Sequence, residues 1–309
     1  MPEKPVVPII CGPTGCGKTA VAVELAEQFA VEVISADSRQ IIKYLDIGSA
    51  KPTKAECNKV AFHLVDLIEP GQRYSAYRFV EDADAALEQV TARGKFPLVV
   101  GGTGMYLKAL TDGVVKIESQ DNSIRNRLEA EMDQSGAEAM YQRLATLDPD
   151  EAARLHPNNK IRVIRALEMC ELTGRSKTEL LAEAEHLKSD WNFEYHCLLP
   201  NREELYDDID RRVDQMMAAG WLDELQSLVR RGQGGRIREA RVIGYVELLD
   251  HLDGLCSLDD AIGLIKQNSR RYAKRQYTWF RNQIAGQFYN NRTEMRERLG
   301  AGFSGRVGN

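Results

Sequence analysis

Residues Gly12 to Thr19 read GPTGCGKT and complete the pattern G-x-x-x-x-G-K-[ST], which constrains this chain more than any other stretch. Each part of the octet Gly12, Pro13, Thr14, Gly15, Cys16, Gly17, Lys18 and Thr19 has a physical task. The glycines let the loop curl so that backbone N–H groups converge on phosphate oxygens. Lys18 adds a mobile positive charge, and the Thr19 hydroxyl is placed to ligate a Mg²⁺ ion. Val6 to Cys11 (VVPIIC) is an apolar run of buried-strand type, and Thr19 to Phe29 has helical apolar spacing. A strand, a glycine-rich loop and a helix N-terminus together make an anion site. The loop alone leaves open which phosphate it holds.

The 309 residues are 43% hydrophobic and 28% charged, ordinary values for a globular protein with a sizeable core. The longest apolar runs are strand-length, and the N-terminus MPEKPVV has no signal-peptide pattern, so no membrane association is expected. The six cysteines, Cys11, Cys16, Cys57, Cys170, Cys197 and Cys256, form no C-x-x-C pair. They read as reduced thiols of a cytoplasmic protein rather than as zinc ligands. Cys16 is most simply a small filler of the loop. A net charge of −5 disfavours nucleic acid on its face, but the charge is unevenly placed. Lys266 to Arg281 (KQNSRRYAKRQYTWFR) carries six basic residues and no acidic one.

The pattern along the chain predicts an α/β fold of P-loop NTPase type, with a parallel sheet core, a helical insertion and C-terminal helices. Strand-like runs at Val6–Cys11, Val31–Ala36, Ala61–Ile68 and Leu98–Val100 alternate with helical stretches, which implies parallel strands with ligands at their carboxyl ends. Residues 121–185 read as consecutive helices punctuated by Asp148-Pro149, His156-Pro157 and Thr173-Gly174. Phe193–Leu199 looks like a returning strand, helices follow to about Gln283, and Gln287–Asn290 is a last short strand. The expected domains are residues 1–118 with 190–292 as the core and 119–189 as the insertion. Residues 293–309 are expected to be a disordered tail.

Two strand ends look purposeful. The second strand runs into Asp37-Ser38-Arg39-Gln40, placing a carboxylate at the sheet rim, where it can act as a base or cap a turn. The fourth ends in Gly101-Gly102-Thr103-Gly104, presenting Thr103 to the same rim, where a helix cap is the plain alternative. No acid ends that strand and no N-K-x-D motif occurs, which argues against a GTPase and weakens the ATPase reading. In the basic stretch Lys266, Arg270 and Lys274 share one helical spacing and Arg271 and Arg275 another, interleaved with Tyr272, Tyr277, Trp279 and Phe280. Such a face suits a nucleic-acid backbone with unstacked bases. Lys160-Ile161-Arg162-Val163-Ile164-Arg165 forms a second basic cluster. Two remote basic surfaces beside a phosphate pocket suggest a large polyanionic co-substrate. His63 reads as an ordinary buried histidine.

GPTGCGKT, ADSRQ followed by DIGSAKP (Asp46–Pro52), FHLVD, YSAYRF, LVVGGTGMYLKAL, RVIRALE, RVIGY and KRQYTWFR stand in the order found in tRNA dimethylallyltransferases, also called tRNA isopentenyltransferases. The resemblance spans Ile9 to about Arg281. It implies transfer of a dimethylallyl group from dimethylallyl diphosphate to N6 of adenosine-37, beside the anticodon, in tRNAs reading codons that begin with U. It implies that the loop holds the donor's diphosphate, with Mg²⁺ at Thr19, and that Lys18, Asp37 and Thr103 are catalytic, Asp37 as general base. By matching motif it assigns contacts to the tRNA anticodon stem-loop to Asp37, Ser38, Arg39, Gln40, Thr103 and Arg125. The same holds for Ile161, Arg162, Val163, Ile164 and Arg165, for Arg241, Gly244 and Tyr245, and for Lys274, Arg275, Gln276, Tyr277, Trp279 and Arg281. Val246 stands where the family commonly has Arg or Lys, and Ile41-Ile42-Lys43 replaces the usual V-Y-R. The chain resembles the short bacterial form, without zinc-finger cysteines, and is expected to be a monomer. The competing readings are an isopentenyltransferase acting on free adenine nucleotides, a P-loop small-molecule kinase, and a non-enzymatic RNA-binding protein.

Overall fold

The computed structural model describes residues 5–115, 123–183 and 186–307, which divide into two units. The larger comprises 1–112 and 188–309, the smaller Gly113–Leu187, so the division falls a few residues from the expected 119 and 189. In the larger unit, β1 (Val7–Cys11) enters the phosphate loop and α1 (Lys18–Ala26) leaves it. β2 (Val31–Ser35), α2 (Lys54–Cys57), β3 (Phe62–His63), α3 (Ala76–Ala92), β4 (Phe96–Gly101) and α4 (Gly104–Asp112) follow. Ser75 caps α3 by accepting from the Arg78 N–H at 3.1 Å.

The smaller unit opens with β5 (Val114–Val115) and closes with β6 (His186–Leu187), which pair antiparallel. Between them lie α5 (Ser123–Leu147), α6 (Pro149–Ala153), α7 (Lys160–Thr173) and α8 (Lys177–Glu183). The breaks sit where the sequence punctuation put them. Asp148 caps α6 with Pro149 in the first turn, and Gly174 ends α7 in the left-handed conformation. Gly136 (φ 83°) adds a kink inside α5. Leu128, Met132, Met140 and Leu144 of α5 pack on Val163, Ala166 and Leu167 of α7, giving this unit a core of its own.

The chain returns to the larger unit through β7 (Phe193–Leu198), α9 (Arg202–Ala218), α10 (Trp221–Arg230), α11 (Gly234–Ala240), α12 (Tyr245–Leu252), α13 (Leu258–Gln283), β8 (Gln287–Tyr289) and α14 (Arg292–Val307). Among the described residues one sheet has the order β3-β2-β4-β1-β7-β8, and every pairing is parallel. β1 is central and entirely buried, so its carboxyl end delivers the loop to the middle of the sheet rim. The apolar run at 61–68 makes less strand than expected. Phe62 and His63 pair with β2 and Ile68 makes only an isolated bridge to Ile42, because Leu64 (φ 61°) and Asp66 (φ 57°) turn the chain between them.

The C-terminal segment corrects the sequence reading. Residues 292–307 are a helix rather than a disordered tail, with Met295, Leu299 and Phe303 buried against α1 and the sheet. Three apolar residues at i, i+4 and i+8 form a stripe that the glycines and charges of this stretch obscured. The Phe303 ring lies 5.5 Å from that of Phe29 and 5.4 Å from that of Phe96. Phe303→Ala is expected to cost about 3–5 kcal/mol in urea unfolding; a loss below about 1 kcal/mol would mean that α14 is not part of the core.

Candidate active site

The loop ends and the strand ends meet at one cavity of ≈ 500 Å³, which lies wholly within the larger unit. Thr14, Gly15, Gly17, Lys18 and Thr19 line it from the phosphate loop, with Asp37, Arg39 and Gln40 from the turn after β2. Gly102 lines it beyond β4, and Tyr272, Arg275 and Gln276 from α13. Gly12, Pro13 and Cys16 are buried behind the loop. A side chain at Gly12 is impossible, since its Cβ would lie 2.4 Å from the Leu198 carbonyl oxygen and its φ is 146°. Burial pushes the Cys16 thiol pKa up, with Lys18 opposing, so Cys16 is a protonated packing residue.

The Lys18 ammonium donates to the carbonyls of Gly12 (3.0 Å) and Pro13 (2.7 Å), and among the described residues no carboxylate pairs with it. Its charge is therefore held over the loop without being neutralised. Gln276, buried on α13, spans the two glycine-rich turns. Its Oε1 accepts from the Thr14 N–H at 2.8 Å and its Nε2 donates to the Gly102 carbonyl at 2.8 Å. This corrects its reading as an RNA contact, because both ends of its amide are spent inside the protein.

Asp37 caps the turn and also faces the cavity. Its Oδ1 caps the turn, accepting from Arg39 N–H (2.8 Å) and Gln40 N–H (3.4 Å), while the residue lines the cavity. Oδ2 carries no hydrogen bond among the described residues. Thr103 is not among the residues lining the cavity. Its Oγ1 accepts from the Ser38 N–H at 2.9 Å, so it positions the Asp37 turn from the neighbouring strand end. The Gln40 amide donates to the Ala50 carbonyl at 3.0 Å, and Arg39 Nη1 donates to the Ala240 carbonyl at 3.2 Å.

Sequence reasoning missed one face of the site. Ile209, Arg212, Val213 and Met216 of α9 line the cavity at i, i+3, i+4 and i+7, spacing that would have placed them on one helix face. Arg212 Nη1 donates to Thr14 Oγ1 at 3.3 Å. Burial lowers its guanidinium pKa, with Asp37 opposing, and the group stays cationic because arginine starts so high. Burial, followed by the Asp37 charge, raises the Tyr272 phenol, which is a neutral hydroxyl at the same cavity.

The remaining basic residues sort by their partners. Lys266 pairs with Asp214 and Arg270 with Asp210, both carboxylates on α9, so two of the six basic residues are paired across a helix pair. Lys274 and Arg281 are exposed, and Arg275 lies over the Tyr272 ring at 5.7 Å. Tyr277 carries the Arg202 guanidinium at 4.8 Å, and Trp279 packs on Gly104. Tyr245 is wholly buried and Gly244 is pressed against Trp221, so neither offers a side chain to RNA. Arg241 is exposed at the cavity in the left-handed conformation (φ 49°). In the smaller unit Val163 and Ile164 are buried in its core, which corrects their reading as RNA contacts, whereas Ile161 is 70% exposed and Arg162 is exposed. Arg165 pairs with Glu168 at 2.8 Å and Arg125 with Glu129 at 3.0 Å.

A parallel sheet with a phosphate loop, a cation over it and a strand-end carboxylate in one cavity defines an enzyme of phosphate-linked group transfer. The comparisons carry this further. The family model described as IPP transferase matches residues 40–283, and that described as isopentenyl transferase matches residues 5–66. A tRNA dimethylallyltransferase of Geobacter metallireducens is 43% identical over 283 residues, covering 90% of each chain. One of Thermotoga maritima is 40% identical over 284 residues, covering 92% of each. The crystal structure of a tRNA isopentenylpyrophosphate transferase from Bacillus halodurans is 38% identical, covers 98% of this chain and 96% of its own, and gives a TM-score of 0.68. A eukaryotic dimethylallyltransferase solved acting on tRNA is 32% identical and covers 89% of this chain and 69% of its own, with a TM-score of 0.73. The chain belongs to the tRNA dimethylallyltransferase (IPP transferase) family.

Gln276→Leu removes both bonds and leaves the Thr14 N–H and the Gly102 carbonyl unpartnered. The expected loss is about 3 kcal/mol in thermal unfolding, with weaker binding of inorganic diphosphate by calorimetry. A variant as stable as the parent would show that the bridge holds nothing.

Proposed function

We propose that this protein transfers the dimethylallyl group of dimethylallyl diphosphate to N6 of adenosine-37 in the tRNA anticodon stem-loop, releasing diphosphate. The observation that carries this reading is the convergence of the phosphate loop and the Asp37 carboxylate on one cavity. The N–H groups of the first turn of α1 have no intrahelical partner and point at whatever the loop holds. With Lys18 and Arg212 they stabilise the charge that grows on the departing diphosphate. The lone pair of an adenine N6 amine is delocalised into the ring, so attack is helped by a group that takes its proton. Asp37 has one oxygen committed to holding the turn and the other available for this. Thr103 and Gln276 keep these parts in register, Thr103 through the Ser38 amide and Gln276 through Thr14 and Gly102.

Because Asp37 lines a cavity of ≈ 500 Å³ at the sheet rim, the target nucleotide leaves the anticodon stack to bring N6 to it. Lys274, Arg275 and Arg281 then serve the phosphate backbone. Thr19 lines the cavity with a hard oxygen donor, and the described residues hold no cluster of acids that would make a metal cage. Thr19 would therefore hold Mg²⁺ jointly with diphosphate oxygens, and the ion would supply charge neutralisation on the leaving group. Among the described residues no helix is long and apolar enough to cross a membrane. All six cysteines are free thiols, which suits work in a reducing cytoplasm.

The test of the base is Asp37→Asn, an isostere that cannot accept the proton. Single-turnover transfer is expected to fall at least about 100-fold while tRNA affinity changes less than about threefold. Undiminished transfer would remove Asp37 from the chemistry. Replacing Lys274 and Arg275 together by glutamine is expected to weaken tRNA binding and to reduce the slope of log Kd against log salt by about 1.5. An unchanged slope would place the RNA backbone elsewhere.

A further inference from the structure

One segment of the cavity lining is held by side chains on later helices. Gly48, Ser49 and Ala50 line the cavity, and the amides at positions 46, 47 and 48 are all taken by two such side chains. Glu224 of α10 accepts at Oε2 from the Asp46 N–H at 3.2 Å and the Ile47 N–H at 2.9 Å. Its Oε1 accepts from the Tyr245 hydroxyl of α12 at 2.6 Å, and that hydroxyl accepts from the Gly48 N–H at 3.1 Å. Three consecutive amides thus hang on one carboxylate and on the phenol it orients. Burial raises the Glu224 pKa, and the hydrogen bonds from Tyr245 and Ile47 oppose that shift. Lys51 pairs with Asp46 and Asp66, which balances the Asp46 charge beside Glu224. Gly48 itself lies flush on the Trp221 indole, since a Cβ there would be 2.2 Å from Nε1.

The other end of the segment reaches the Asp37 turn. Within it the Ala50 N–H donates to the Ile47 carbonyl at 2.9 Å and the Lys51 N–H to the Asp46 carbonyl at 3.1 Å. The segment is therefore a closed turn, and a restraint on its first amides is felt at Ala50. The Ala50 carbonyl accepts from Gln40 Nε2 at 3.0 Å, while Gln40 Oε1 accepts from the Ser35 hydroxyl at 3.0 Å. The Gln40 N–H is one of the two that Asp37 Oδ1 holds. A continuous path of hydrogen bonds and backbone thus joins Glu224 to Asp37. Glu224 is not among the residues lining the cavity, so its influence on the reaction passes through residues 46–50.

We infer that Glu224 is a positioning residue, which through residues 46–50 and Gln40 sets where the Asp37 turn stands at the cavity. The inference rests on the proposed reaction, in which Asp37 takes the N6 proton. Glu224→Gln is the smallest change that tests it. One of the two accepting oxygens becomes an NH₂ donor, which accepts neither from the Tyr245 hydroxyl nor from the backbone amides. One side of the latch is then lost at nearly constant shape.

The experiment measures single-turnover transfer from dimethylallyl diphosphate to unmodified tRNA, at saturating concentrations of both and well below the melting temperature. Glu224→Gln is expected to slow transfer at least about tenfold, with Kd for tRNA and for inorganic diphosphate each within about threefold of the parent. Tyr245→Phe, which removes only the hydroxyl, is expected to slow transfer by about threefold or more and serves if Glu224→Gln does not fold. In a Gln40→Leu background, Glu224→Gln is expected to cost less than about threefold further, because the path is already cut. Amide exchange at residues 46–48 is expected to quicken in Glu224→Gln while exchange at residues 12–19 stays at the parent rate. Undiminished transfer in the folded variants would overturn the inference. So would a full, additive loss in the Gln40→Leu background, or equal weakening of diphosphate binding, either of which marks a general structural role. Failure of the parent to transfer would count against the reaction itself, and unchanged exchange at 46–48 would overturn the latch in either case.

Discussion

The side-chain amide of Gln276 joins parts of the chain that are far apart in sequence. It accepts from residue 14 and donates to residue 102, buried between them on a helix that begins at Leu258. A buried amide left unpartnered is expensive, so this bridge fixes where α13 can lie against the sheet rim. Everything else that α13 brings to the site follows from that placement. Tyr272 and Arg275, one turn earlier and one residue earlier, reach the same cavity, while Lys274 and Arg281 stay exposed. The helix thus couples an internal phosphate site to an external cationic surface through a single backbone.

The cavity brings two kinds of lining together. The loop, Lys18 and Arg212 gather positive potential from side chains and from a helix N-terminus, which suits the leaving diphosphate of the proposed reaction. Ile209, Val213 and Met216 of α9 add apolar surface to the same cavity, which favours a hydrocarbon. Asp37 lines it as well. Its turn is held twice, by its own Oδ1 on the following amides and by Thr103 on the Ser38 amide. That restraint leaves one carboxylate oxygen holding the turn and the other available for the proton transfer proposed above.

Much of this was legible in the sequence, for identifiable reasons. The phosphate loop is local, since eight consecutive residues contain its whole geometry, and the strands on either side follow from short apolar runs. Asp37 and Thr103 could be placed because strand ends in a parallel sheet share a rim. What escaped was non-local. Arg212 looked like one charge among many on a polar helix, and only the packing of α9 on Thr14 shows its use. The basic stretch seemed unpaired because its acidic partners, Asp210 and Asp214, lie more than fifty residues earlier. Val163, Ile164 and Tyr245 sit in motifs rich in polar and basic residues, yet their side chains point into cores, and the Gln276 amide is spent bridging two turns. Motif membership marks a segment, and burial decides which of its side chains can meet a ligand. The last helix was missed because its stripe of Met295, Leu299 and Phe303 is thin among glycines and charges.

The central claim is that the loop holds a group that departs, and not a nucleotide that donates phosphate. Incubating the protein with unmodified tRNA, dimethylallyl diphosphate and an equal concentration of ATP tests it most directly, with adenosine mass and both phosphate products measured together. The account requires one five-carbon group gained on one adenosine for each diphosphate released, with ATP unconsumed. Formation of ADP or a phosphorylated product in place of the allyl gain would contradict it.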